Sequence, residues 1–121
     1  IEGAYAWQTI RDTGARVIFS TDWPVIPVDV MSTLKAAIAP LDLGDDWPDQ
    51  TQTLKDTLAS YTLDNAWAEF AENTRGRLKE GMDADIAVLS HDLTRWPAET
   101  ITDVNAITAI MDGQITFQRA R

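Results

Sequence analysis

Residues 14–25, GARVIFSTDWPV, run an apolar segment straight into a carboxylate. Val17, Ile18 and Phe19 are consecutive and large. Such a run predicts a strand over 16–20 buried on both faces, as in parallel sheets covered by helices. Sheets of that kind carry their chemistry at strand C-terminal ends, and Asp22 falls where this strand would end. The segment therefore offers an active-site acid, but only one part of an active site.

On its N-terminal side a helix is expected over 4–13, with Ala6, Trp7 and Ile10 at helical spacing and Gly14 placed to end it in a left-handed cap. On its C-terminal side a turn containing Pro24 and Pro27 leads to Asp29, a good N-cap. The helix that follows has Val30, Met31, Leu34, Ala37 and Ile38 on one face, and Pro40 stops it. Residues 41–50 read as an acidic loop, with Asp42, Asp45, Asp46 and Asp49 around Trp47. Asp49 or Thr51 is expected to cap a helix running to about Ser60. Thr62 is expected to cap another, whose apolar face is Leu63, Ala66, Trp67, Phe70 and Ala71.

From Arg75 the apolar period changes from about four to two, with Gly76 and Gly81 as turn residues. Strands are expected over 86–89 and 106–111. Asp112-Gly113 is a two-residue hairpin turn, flanked by Ile110 and Met111 before it and by Ile115 and Phe117 after it. The fold class is α/β: helices interleaved with one buried strand, then antiparallel strands.

The 121 residues fit one domain able to bury roughly two-thirds of its unfolded surface. A formal net charge of −9 without a cluster of Lys and Arg argues against nucleic acid and anionic membrane as partners. The absence of cysteine excludes disulfides, thiolate metal sites and a cysteine nucleophile, and suits a cytoplasmic, reducing compartment. No apolar run approaches the roughly 20 residues that span a bilayer, and no leader pattern is seen. The first residue, Ile1, is not an initiator Met, which suggests an excised or processed segment.

STDWPV at 20–25, YTLDNAW at 61–67, GRLKEGMDADIAVLS at 76–90 and IMDGQITF at 110–117 occur in this order. Together they resemble the C-terminal portion of the metal-dependent amidohydrolase superfamily, closest to its YtcJ-like and imidazolonepropionase-like branch. The resemblance implies a (β/α) TIM-type barrel holding one or two divalent metals, with a smaller β-sandwich beside it. It places residues 1–74 as the C-terminal part of the barrel, with 16–20 its final strand and helices following. Residues 75–121 become the returning antiparallel strands of the sandwich.

By the same resemblance Asp22 matches the aspartate at the end of the final strand. It would bind metal or hold the attacking water in the intact enzyme, accept its proton and deliver it to the leaving group. The chemistry suits that place, since zinc lowers the pKa of its water to about 7 and a nearby carboxylate can take the proton. Catalytic zinc usually has three protein ligands. The family takes them from a His-x-His pair, histidines of middle strands and sometimes a carboxylated lysine. Here the single histidine, His91, follows a sandwich strand, and Lys35, Lys55 and Lys79 stand in other contexts. The resemblance thus implies a C-terminal segment of a hydrolase acting on an amide or cyclic amide carbon–nitrogen bond. Its divalent metal, zinc by expectation, rests on donors upstream of Ile1, and the segment alone is inactive and needs no cofactor.

Each feature has a plainer reading. Asp22 before a proline-containing turn could be a turn former. Trp23 could line a substrate pocket or pack at the barrel rim. His91 and Asp92 are adjacent on an extended segment and point apart, which favours a solvated loop histidine. Ser20 and Thr21 lack the strained elbow of a hydrolase nucleophile. The acidic loop lacks the alternation and closing Glu of a calcium loop. Trp67 with Phe70 reads as core, and Asp85 as a structural carboxylate satisfying backbone donors in the turn after Gly81.

Two functions follow. One is a segment of a metal hydrolase that takes a small-molecule substrate once the missing N-terminal barrel segment is in place. The other is a stand-alone, non-catalytic α/β module for oligomer assembly or small-molecule binding. A strand as apolar as 17–19 needs neighbours. The isolated chain is therefore expected to form a homo-oligomer, or to join that strand to its own C-terminal sheet.

Overall fold

The computed structural model describes residues 3, 5–42, 44 and 46–120; Ile1, Ala4 and Asp45 of the positions singled out above lie outside them. Four helices come first: α1 (Trp7–Asp12), α2 (Val30–Ile38), α3 (Leu54–Tyr61) and α4 (Leu63–Ala68). Then follow β1 (Ile86–Leu89), a 3-10 helix (Ala98–Asp103), β2 (Ala106–Met111) and β3 (Gln114–Gln118).

Local chemistry explains most boundaries. The Asp29 carboxylate accepts from the Met31 N–H at 3.0 Å and starts α2. Gly14, at φ +86°, ends the first helix as expected, its N–H donating to the Arg11 carbonyl. The cap of α3 is a correction: Thr53, not Asp49 or Thr51, accepts from the Asp56 N–H at 3.1 Å. Asp49 is spent one turn earlier, accepting from the Thr51 N–H. The polar stretch between β1 and β2 contains a 3-10 helix that the sequence pattern did not announce.

The sheet is antiparallel in the order β1-β2-β3. Ile86 pairs with Ile110, and Ile110 in turn with Ile115. Asp112 and Gly113, at φ +49° and +74°, make the hairpin turn the sequence predicted. The Asp112 N–H donates to the Asp85 carboxylate at 2.9 Å, and the Gly113 N–H to the Ala84 carbonyl at 3.1 Å. Asp85 is thus structural as expected, but its donor belongs to the β2–β3 hairpin and not to the turn after Gly81. A second sheet to complete a sandwich is not found among the described residues.

The apolar core is small. Leu34 and Ala37 of α2 meet the 3-10 helix and its exit, where Ile101 and Val104 are buried. Trp67 and Phe70, read from sequence as core, are 45% and 92% exposed. Helix α4 ends at Ala68, so Phe70 falls beyond it at φ +59° and leaves the apolar stripe. Ile107, Met111, Ile115 and Phe117 of the sheet are exposed as well.

The 16–20 segment forms no ladder with any described residue, where the sequence pattern predicted a strand buried on both faces. Val17 is buried, yet Ile18 is 50% exposed because nothing among the described residues covers that side. The segment also does not join the C-terminal sheet. A self-contained domain of this size exposes about 6,500 Å². This chain exposes 8981 Å². No described helix is long and apolar enough to cross a membrane.

Candidate active site

Asp22 opens a tight turn at the C-terminal end of the 16–20 segment. Its backbone is left-handed, φ +51°, a conformation that Asp tolerates better than most residues because its short side chain can bond locally. Its N–H donates to Ser20 Oγ at 3.0 Å, and its carbonyl accepts from the Val25 N–H at 2.8 Å. The Asp22 side chain stands in solvent, and Trp23 beside it is 69% exposed. The backbone of this turn is therefore fixed while the carboxylate stays accessible.

What holds the segment behind Asp22 is the end of α3 and the start of α4. Ser60 Oγ donates to the Val17 carbonyl at 2.5 Å, and the Ser60 carbonyl accepts from the Phe19 N–H at 3.3 Å. Asn65 Nδ2 donates to the Phe19 carbonyl at 3.1 Å. Arg16 stands 3.6 Å from Asp64 and lies over the Trp67 ring, 4.5 Å from its centre. Trp67, missing from the core, is thus a platform for a guanidinium. Within the YTLDNAW motif Asn65 holds the Phe19 main chain, while Asp64 and Trp67 hold the Arg16 guanidinium.

A polar relay backs the clamp from α1. Arg11 donates to Ser60 Oγ at 2.7 Å and to Gln52 Oε1 at 2.8 Å, and the buried Gln52 amide donates to Gln8 at 2.6 Å. The Trp7 indole N–H donates to the Gln50 carbonyl. Nothing in the residue pattern marked Gln52 as buried; it is satisfied there by partners 41 and 44 positions away.

Gly76 closes the underside of α4. At φ +88° its backbone lies so near the helix that a Cβ would stand 2.7 Å from Ala66 Cβ and 3.0 Å from the Thr62 carbonyl oxygen. Tyr61 donates to Thr33 of α2, and burial pushes its hydroxyl pKa above the usual value while that bond opposes the shift.

Other candidates are not drawn to Asp22. His91 is exposed, its Nδ1 2.9 Å from Ser90 Oγ and its ring tilted by 41° against that of Trp96, which agrees with a loop histidine. Asp92 turns back on Thr94, whose hydroxyl and N–H hold its pKa below the usual carboxylate value. An open groove of about 1180 Å³ runs between Trp7, Lys35, Pro40 and Trp47, and a smaller one between Asn65, Arg75 and Asp83; Asp22 lines neither. Among the described residues no three His, Cys, Asp or Glu side chains converge to hold a metal ion. A lone, solvated carboxylate falls short of the three protein donors that a catalytic zinc usually takes.

A sequence model of the amidohydrolase family matches residues 1–117. YtcJ of Bacillus subtilis strain 168, which bears the name of an amidohydrolase, is 25% identical over 122 residues, covering 97% of this chain and 23% of that protein. An N-substituted formamide deformylase of Arthrobacter pascens is 26% identical over 119 residues, covering 93% of this chain and 21% of that one. Protein LONG AFTER FAR-RED 3 of Arabidopsis thaliana is 26% identical over 93 residues, covering 74% and 16%. The crystal structure of an amidohydrolase from Thermotoga maritima MSB8 superposes with a TM-score of 0.75 at 20% identity, over 95% of this chain and 26% of that one. The chain thus spans less than a quarter of the length of each of these sequence relatives.

Proposed function

Because the chain belongs to the amidohydrolase family, we propose that it is the C-terminal segment of a hydrolase that cleaves a carbon–nitrogen bond of an amide or cyclic amide. In this reading residues 1–74 contain the last strand and helices of a (β/α) barrel, and 75–121 give antiparallel strands to a sandwich. The barrel's remaining strands and the second sandwich layer come from other polypeptide. The surface supports this: the chain exposes 8981 Å², about 2,500 Å² more than a self-contained domain would. An excess of that order is what one large obligate interface removes. The free edge at Ile18 and the bare sheet are the places to be covered, by the rest of the enzyme or by a second copy.

The observation that carries the functional reading is Asp22, exposed at the end of a clamped extended segment and held in a left-handed turn. Water adds its oxygen to the carbonyl carbon, Asp22 takes the proton, and the proton passes to the nitrogen as the carbon–nitrogen bond breaks. Trp23 flanks the carboxylate and would face the substrate. The divalent metal expected of such an enzyme, zinc by analogy, would rest on donors outside these residues. The relative named as a formamide deformylase supports an N-formyl amine as the first substrate to try.

The test uses the full-length polypeptide that carries this chain and reads amine release from N-formyl amines and cyclic amides. Asp22→Asn is expected to lower kcat by about 10²- to 10⁴-fold, the usual worth of a positioned acid–base group. Unchanged turnover in that variant would remove Asp22 from the chemistry, and no amine release by the full-length polypeptide would favour the non-catalytic module.

A further inference from the structure

We propose that Asn65 is a positioning residue for Asp22, acting through the Phe19 carbonyl; this rests on the reading of Asp22 as the reacting carboxylate. In an extended segment the main-chain groups of alternate residues point to the same side. Residues 17 and 19 both turn theirs toward α3 and α4, where Ser60 and Asn65 take the places that strand donors and acceptors would fill. Asn65 is the last of these contacts before the turn, and its amide is the hydrogen-bond donor to the Phe19 carbonyl.

Only Ser20 and Thr21 separate that anchored carbonyl from Asp22, and Ser20 Oγ already accepts from the Asp22 N–H. A short path therefore runs from α4 through the Phe19 carbonyl and Ser20 to the Asp22 main chain. Without the Asn65 donor the segment stays held by Ser60 at the Val17 carbonyl and the Phe19 N–H, but the Phe19 carbonyl is released and the chain is free to turn beyond it, with Asp22 on the released side. The packing of α4 on Gly76 and the Arg16–Asp64 pair do not involve the Asn65 amide, so its removal leaves the helix seated. Alanine is also the best helix former, which keeps α4 intact in the variant.

Two variants test this, Asn65→Ala and the isosteric Asn65→Asp, which keeps size and loses the donor. In the full-length polypeptide both are expected to lower kcat by about 10- to 100-fold, the cost of a displacement on the order of 1 Å, with KM unchanged. In the 121-residue chain, NMR signals of Ser20, Thr21 and Asp22 should move and the Asp22 coupling should lose its left-handed signature, while α3 signals and the melting temperature hold.

Unchanged kcat in both variants, or NMR changes spread evenly over α3 and α4, would overturn the assignment. The two readings fail separately. If Asp22→Asn leaves turnover intact, the catalytic role is lost, yet the NMR arm still reports whether Asn65 governs the geometry of residue 22.

Discussion

Replacing Gly76 with alanine should be among the most damaging single-methyl changes in the chain, and a second glycine shows why. At φ +88° an L side chain is strained, worth about 1–2 kcal/mol. The added Cβ also stands 2.7 Å from Ala66 Cβ, 3.0 Å from the Thr62 oxygen and 3.2 Å from Leu63 Cα. Two of the three are main-chain atoms, so α4 itself must move, at the roughly 1–3 kcal/mol typical of overpacking. The sum is about 2–5 kcal/mol, a large part of the roughly 5–15 kcal/mol that stabilises an ordinary domain. Gly81 has nearly the same conformation, φ +85°, but nothing within 4 Å of the added atom. Gly81→Ala should therefore show the strain alone, about 1–2 kcal/mol. Urea unfolding followed by tryptophan fluorescence measures both variants, and the midpoint of Gly76→Ala should fall well below that of Gly81→Ala at equal slope. Equal midpoints would refute the close approach of the 75–77 turn to α4.

Thr53→Ala removes the side-chain cap of α3 and should cost about 1 kcal/mol in the same assay. Asp85→Ala frees the Asp112 N–H in an exposed hairpin, and should cost about 1 kcal/mol while speeding hydrogen exchange at Asp112 and Gly113 ahead of the rest of β2. Tyr61 titrates above its usual 10.0 because burial disfavours its anion. The stability it contributes is complete below pH 10.0 and is lost as pH rises through the folded-state value. A 295 nm absorbance titration should show a tyrosine ionising late, and unfolding midpoints should fall along the same limb.

Elements ruled by local chemistry were legible in the sequence. Asp29 marked the start of α2, Gly14 the end of α1, and Asp112-Gly113 the hairpin, because each depends only on residues a few positions away. The α3 cap slipped because three oxygen-bearing residues, Asp49, Thr51 and Thr53, compete within five positions, and tertiary packing decides among them. Trp67 was misplaced because periodicity reports a face and not its neighbour, and here the neighbour is the Arg16 guanidinium. The need of the 16–20 segment for neighbours was legible in its apolar content, but its burial on both faces was not met, because a ladder needs a second segment that is not found among the described residues. Of the site, Asp22 was visible as a carboxylate after an apolar run. Asn65, Ser60 and the buried Gln52 were not, because their partners lie 46, 43 and 41 residues away.

Zinc titration of the isolated 121-residue chain by calorimetry, with Asp22→Asn alongside, probes most directly whether the donors of the metal centre lie outside these residues. Parent and variant should give the same weak, unsaturated heats, as scattered surface carboxylates do. Uptake of one equivalent at sub-micromolar affinity, abolished by Asp22→Asn, would mean that these residues hold a complete metal site of their own.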